Sequence, residues 1–269
     1  LAVCQALGIK LEELPDWSCC GASSAHMTND LLAVSLPARN LAIAKRMGRD
    51  LLVVCAACYS RLKAAQKRLL EDEAVVSQVE AAVGADPRFQ GRIRHLLEVL
   101  SEEVGFREIK ERATVKLAGL KAVPYYGCLL VRPSELSCCA SVENPTELDR
   151  LLEALDLQVM PWSYKTDCCG GSLSLSRTDI VEKLVNRLFT RAEEAGANCI
   201  ATVCPMCAAN LEMRQKPGKL TFELPHRLPV FYFTELLGLA MGLEETTQWF
   251  ASHIIDPLPL LGSARLLNA

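Results

Sequence analysis

Four cysteines recur at one fixed offset. Cys19-Cys20 with Cys55-Ala-Ala-Cys58 reappears as Cys168-Cys169 with Cys204-Pro-Met-Cys207, each cysteine 149 positions further on. Composition alone does not produce such a match, so the chain reads as an internal duplication with two equivalent metal-binding halves. Between Cys169 and Cys204 lie 34 residues, enough for one helix and one strand returning to the same edge and bringing four sulfurs together. Cys128 follows a further strand-like run and extends the second set to five cysteines.

The duplication sets the expected architecture: α/β, with two pseudo-symmetric halves of short parallel strands and flanking helices. Residues 1–120 form the first half plus a helical insert, and residues 121–269 the second half plus a C-terminal docking segment. Expected strands are Ile9–Leu14, Leu51–Val54, Lys121–Tyr126, Leu157–Met160, Asn198–Val203 and Val230–Phe233. Helices are expected over Asp30–Met47, which Gly48 ends, and over Ile180–Ala195 and Thr234–Met241. Tyr59–Val83 and Arg92–Val104 read as helical, and Ala208–Met213 as the start of a turn-rich stretch. The cysteines then fall at strand ends, where open α/β sheets place their ligands. The counterpart of Cys128 would lie about twenty positions ahead of Leu1, so a strand and a cysteine-bearing loop are expected before the sequence begins.

Composition narrows the function. Half of the 269 residues are hydrophobic, so a sizeable core forms without disulfides. Thirteen cysteines in such a chain, arranged as CC pairs and C-x2-C, read as reduced cytosolic thiolates holding metal, and a cytoplasmic location follows. A net charge of −3 with no basic cluster excludes a nucleic-acid or anionic-membrane partner. The longest apolar run near the C-terminus, Leu236–Leu243, is far short of a bilayer span.

Three chemistries compete for the thiols. A structural zinc commonly takes two C-x2-C knuckles, yet each half has one, and adjacent cysteines bind a single ion only with strain. An iron–sulfur cluster shares several irons among its ligands and has no such difficulty. A redox disulfide is the third. Cys138-Cys139 is followed by alanine instead of glycine, has no partner at the common offset, and reads as a decoy. Cys4 and Cys199 read as small core residues. His26 either lines the site or is a plain loop histidine; His95, His226 and His253 read as unremarkable. Lys165 and Arg132 are candidates for an anionic substrate tail, with ordinary solvation or pairing as the alternative. Gly170-Gly171 reads as a close backbone approach to a cluster.

The segments PDWSCCGAS, VVCAACYSRL, YYGCLLVRP, ENPTELDRLLEAL, YKTDCCGGSLSLSRTDI, TVCPMCAANLEMRQ and PVFYFTELLGLAMGL span nearly the whole chain. In that order they resemble the CCG-domain, cysteine-rich iron–sulfur family, and within it the B subunit of heterodisulfide reductase. The resemblance implies two non-cubane [4Fe-4S] clusters. Cys19, Cys20, Cys55 and Cys58 would bind the first; Cys128, Cys168, Cys169, Cys204 and Cys207 the second. It implies reductive cleavage of a disulfide, coenzyme M–coenzyme B in methanogens, with electrons from a flavin-containing partner protein through an iron–sulfur partner protein of the same complex. Splitting an S–S bond by single electrons releases a thiyl radical unless a metal captures the sulfur. Two clusters facing one cleft could each take one sulfur and supply one electron. The alternative within the family is an electron-transfer subunit of a quinone-, dicarboxylate- or glycolate-linked oxidoreductase, with no disulfide chemistry.

Overall fold

The computed structural model describes residues 1–22, 24–215 and 227–266. They divide into two compact units. One comprises Leu1–Leu11, Leu97–Cys128 and Cys139–Ala269, the other Glu12–Leu96 and Leu129–Cys138.

The larger unit is built on a four-stranded parallel sheet. Its strands are β3 (Lys121–Tyr125), β4 (Gln158–Val159), β5 (Cys199–Thr202) and β6 (Val230–Tyr232), in the spatial order β4-β3-β5-β6. The parallel connections carry helices, as such connections require. Helix Glu147–Ala154 leads from β3 to β4, Thr178–Glu194 from β4 to β5, and Pro205–Met213 lies between β5 and β6. Strand β5 sits between two neighbours and all four of its residues are buried. Pro124 falls inside β3, where a ladder N–H would normally be needed. Strand β4 pairs only with Lys121 and Ala122, so beyond Ala122 that flank of β3 needs no donor. There the Pro124 carbonyl accepts from Trp162 Nε1 at 2.9 Å.

The smaller unit pairs β1 (Leu51–Val53) with β2 (Ile93–His95), again in parallel. Leu51 opposes Ile93 as Ile200 opposes Val230, so the β1–β2 ladder repeats the register of β5–β6. Helix Asp30–Met47 packs on helices Ala56–Glu71 and Glu73–Val83. It starts at Asn29, whose side chain accepts from the Leu32 N–H, and stops at Gly48 in the left-handed conformation, φ 61°.

The α/β class, the parallel strands and the duplication stand as the sequence implied. Three local expectations do not. Ile93–His95, expected within a helix, is a strand, because it pairs with β1, and Arg94 and His95 are buried there. Ala208–Met213 is helical, since Pro205 at the first helical position starts a helix that runs through it. Ile9–Leu14 carries no strand; its counterpart β4 exists only by pairing with β3, and the smaller unit has no strand in β3's place among the described residues. His226, Pro217-Gly218 and Pro225 lie outside the described residues.

Candidate metal centre

Sheet register brings the second cysteine set together. Tyr125 at the end of β3 pairs with Thr202 at the end of β5, so Cys128 and Cys204 follow shortly after one shared rung. Cys204 caps helix Pro205–Met213, and Cys207 lies in its first turn. The Tyr126 and Gly127 N–H groups donate to the Lys165 carbonyl at 2.9 and 3.1 Å. That contact draws the loop bearing Cys168 and Cys169 against the end of β3.

The five sulfurs fall into two hydrogen-bonded groups. Cys169 Sγ and Cys207 Sγ are 3.5 Å apart. Cys207 also meets the Cys204 thiol; these two bonds and burial push it far above the ordinary thiol range. The Cys207 thiol in turn pulls Cys169 down, against the cost of burial. Cys128 and Cys168 form the other group. The hydrogen bond from Cys128 is the main reason Cys168 is acidic, with the Gly170 N–H at 3.2 Å contributing. Tyr125 links the groups: burial raises its phenol, and negative charge at Cys207, Cys169, Cys128 and Cys168 raises it further. Cys168 is exposed, Cys128 half-buried and the remaining three buried, so the site opens to solvent on the Cys128–Cys168 side.

The first set repeats this pattern. The Cys58 thiol lowers Cys20, while Cys58 itself is raised by Cys20 and Cys55. The Gly21 N–H approaches Cys19 Sγ at 3.4 Å. Gly21 and Gly170 both adopt the left-handed conformation, φ 70° and 76°, and the N–H of each meets the sulfur of the cysteine two residues earlier. Cys55 caps its helix as Cys204 does.

The donor chemistry fits a thiolate-bound iron–sulfur group. All thirteen cysteines are free thiols. A Cβ at Gly127 would come within 3.1 Å of Cys207 Sγ, so the backbone hugs the sulfurs closely. Among the described residues no three Cys, His or carboxylate groups are placed to hold a single metal ion.

Other candidates resolve as follows. Cys4 and Cys199 are buried core thiols, and burial pushes Cys199 up to about 12. Cys138 and Cys139 lie in an irregular stretch after the short turn Ser134–Leu136. Lys165 is committed to Asp149 at 2.5 Å, with Asn144 and the Pro145 carbonyl, in a largely buried cluster. That makes it a structural cation holding the loop ahead of Cys168. His26 approaches Arg61 at 3.3 Å. His253 is far from unremarkable, for it is buried between two carboxylates. Asn210, not singled out from the sequence, holds the Cys169 carbonyl at 2.8 Å. Its position three residues after Cys207, hence on one helix face with it, was the available signal.

The cysteine-rich domain family CCG matches residues 1–63 and 122–212, more than half of the chain in two stretches. The 8-methylmenaquinol:fumarate reductase membrane anchor subunit of Wolinella succinogenes is 31% identical, covering 96% of this chain and 91% of that protein. The B subunit of the ferredoxin/F(420)H(2)-dependent CoB-CoM heterodisulfide reductase of Methanosarcina acetivorans is also 31% identical, covering 98% and 90%. A crystal structure of a hypothetical protein from Helicobacter pylori superposes with a TM-score of 0.74 at 13% identity, over 94% of this chain and 47% of that one, and shares the fold. The relatives are subunits of oxidoreductases, of both the heterodisulfide and the fumarate type. No helix among the described residues is long and apolar enough to cross a membrane. By sequence pattern, family match and near-full-length similarity to heterodisulfide reductase B subunits, the chain belongs to the cysteine-rich CCG-domain family of iron–sulfur oxidoreductase subunits.

Proposed function

We propose that the chain is the catalytic iron–sulfur subunit of a heterodisulfide-reductase-like complex. Its reaction is R–S–S–R′ + 2e⁻ + 2H⁺ → RSH + R′SH, run in one-electron steps, with the CoB-CoM heterodisulfide or a related disulfide as substrate. Cys19, Cys20, Cys55 and Cys58 hold one non-cubane [4Fe-4S] cluster, and Cys128, Cys168, Cys169, Cys204 and Cys207 the other. Such clusters, when bound, supply single electrons and a thiophilic metal face.

The observation that carries the reading is the five-thiol set at the ends of β3 and β5, with one exposed cysteine over three buried ones. The chain's own residues shape access to it. Cys128 and Cys168 stand at the open side, and β3, β5 and helix Pro205–Met213 close the other. Tyr125 seals the base as a neutral phenol; its hydroxyl is spent on the Asp167 carbonyl at 2.6 Å, so it walls the site without donating a proton into it. Protons therefore arrive from solvent at the open side. Electrons come from a flavin-containing partner protein through an iron–sulfur partner protein of the same cytoplasmic complex.

Similarity to the fumarate reductase protein favours one second reading, an electron-transfer subunit of a quinone-, dicarboxylate- or glycolate-linked oxidoreductase. The test combines metal analysis with turnover. Anaerobically purified protein should contain iron and acid-labile sulfide, oxidise reduced methyl viologen with the heterodisulfide, and show a thiol-induced paramagnetic signal. Iron and sulfide with neither turnover nor thiol signal would transfer the assignment to the second reading. Zinc without iron would reject both.

A further inference from the structure

A buried ion pair stands behind the open side of the second thiol set. Lys165 lies three residues ahead of Cys168, in the loop that leads from β4 to the CC turn. Its Nζ donates to Asp149 Oδ1 at 2.5 Å, to Asn144 Oδ1 at 3.1 Å and to the Pro145 carbonyl at 3.2 Å. The three donors of the ammonium are thereby spent. The two charged side chains are only 12% and 14% exposed. Tyr126 Oη donates to the other Asp149 oxygen at 2.7 Å and accepts from the Leu148 N–H at 2.7 Å. A buried polar network with its members satisfied holds its parts in one arrangement.

What this network holds is the backbone of Lys165. The side chain ties that residue to the first turn of helix Glu147–Ala154, where Asp149 lies. The Lys165 carbonyl accepts from the Tyr126 and Gly127 N–H groups and so ties it to the end of β3. Cys128 directly follows Gly127, and Cys168 is the third residue after Lys165. These are the two thiols on the solvent side of the set. The three buried thiols have other supports: Cys204 and Cys207 belong to helix Pro205–Met213, and Asn210 of that helix holds the Cys169 carbonyl. Lys165 is thus an anchor shared by Cys128 and Cys168.

The first set has a weaker version of this anchor. Asp16 lies three residues ahead of Cys19, and Arg39 donates to both its carboxylate and its carbonyl. That pair is 36% and 87% exposed, and exposed pairs contribute little. Only the second CC turn is held by a buried pair.

We infer that Lys165 is a positioning residue for disulfide binding at the second set. It acts through its backbone: by holding Cys128 and Cys168 in fixed register, it sets the open face at which a substrate sulfur arrives. The inference rests on the proposed disulfide-reducing iron–sulfur function.

The test compares Lys165→Met/Asp149→Asn with wild type. Removing Lys165 alone strands a buried carboxylate and endangers folding, whereas the double variant removes both charges and keeps an acceptor for Tyr126. The net charge of the chain is unchanged, so any effect reports geometry. In full-length protein loaded with iron and sulfide, metal content should match wild type, because the buried thiols keep their supports. Disulfide turnover per iron should fall about ten- to a hundredfold, the effect of a misplacement of about 1 Å, and the thiol-induced paramagnetic signal should weaken. Lys165→Arg, which keeps a cation on Asp149, should recover most of the turnover. A second readout uses the metal-free chain under mild oxidation by diamide, with cross-links localised by fragment mass spectrometry. Wild type should form both Cys128–Cys168 and Cys169–Cys207 links. The double variant should form the first about tenfold more slowly and the second at the wild-type rate. Unchanged turnover and unchanged cross-linking would overturn the proposal. So would equal slowing of both links, or loss of iron in step with turnover, since Lys165 would then only support the fold. Iron-loaded wild type that is inert toward disulfides would sink the proposed function itself, and the cross-link comparison would still decide whether Lys165 positions the two thiols.

Discussion

At the scale of single residues, the CC-Gly turn depends on a backbone conformation that side chains resist. Gly170 has φ 76°, and a Cβ there would meet Val181 and Leu184 at 3.1 Å, within an already packed contact. An L-residue in the left-handed region costs roughly 1–2 kcal/mol before any crowding. Gly8, at φ 75° with open space around it, carries the same backbone demand without the crowding. Gly170→Ala should therefore destabilise the metal-free chain more than Gly8→Ala, by about 1 kcal/mol beyond the shared backbone cost. It should also impair iron uptake at the second site, because the turn carries the Gly170 N–H to Cys168 Sγ. Urea unfolding and iron content measure the two effects, and equal urea midpoints for the two variants would contradict the crowding argument. The cysteines themselves were legible without structure, since their chemistry and spacing are local properties of the chain. Asn210 was not, because its purpose depends on Cys169, which approaches it only through the fold.

At the scale of elements, the C-terminal segment is fastened to helix Pro205–Met213 by one buried histidine. His253 Nδ1 is 2.7 Å from Glu212 Oε1, and Nε2 is 3.0 Å from Glu235 Oε1. Both ring nitrogens face carboxylate oxygens, so both must donate and the ring is an imidazolium. The outer carboxylate oxygens are also used, Glu212 Oε2 by the Ile254 N–H and Glu235 Oε2 by the Tyr232 N–H. Phe231 and Phe250 complete the surroundings and bring no charge. Burial pulls His253 down, but the two carboxylates outweigh it and raise it to about 10. A raised folded-state value means that the clamp stabilises fully below the unfolded imidazole range near 6.5 and is lost as pH climbs through about 10. His253→Phe leaves two buried carboxylates without their cation and should cost about 3 kcal/mol at pH 6 to 7. The difference in urea stability between wild type and variant should shrink as pH approaches 10. A difference that stays constant from pH 6 to 10 would show that the histidine only fills space. No sequence pattern announces this clamp, because its partners lie 41 and 18 residues away. Helix Asp30–Met47 was legible for the opposite reason, as periodicity and the stop at Gly48 are written locally. Strand Ile93–His95 was hidden because two of its three residues are polar, and only pairing with β1 reveals it.

At the scale of the whole molecule, duplication means that each unit has its own parallel strands, its own core and its own thiol set. The larger unit builds its site from β3 and β5, whose ends share the Tyr125–Thr202 rung, while the smaller builds its own from β1 and the helix that Cys55 caps. Metal binding at such sites contributes to folding, because the ligands are not preassembled in the unfolded chain. The stabilisation should then be felt within the unit that owns the ligands. Cys169→Ala removes the sulfur that joins the CC turn to Cys207 and should cost roughly half of the bound iron. In hydrogen-exchange mass spectrometry of the loaded protein, this variant should lose protection across β3, β5 and helix Pro205–Met213. Strands β1 and β2 and helix Asp30–Met47 should keep theirs, and Cys20→Ala should give the reverse pattern. Residues outside both sites provide the internal control: Cys199→Ala, a core substitution next to neither site's open side, should weaken β5 by a packing loss of about 1 kcal/mol without changing iron content. If Cys169→Ala instead strips iron and protection from both units together, the two halves fold and load as one cooperative body, and the independence implied by their separate cores is wrong.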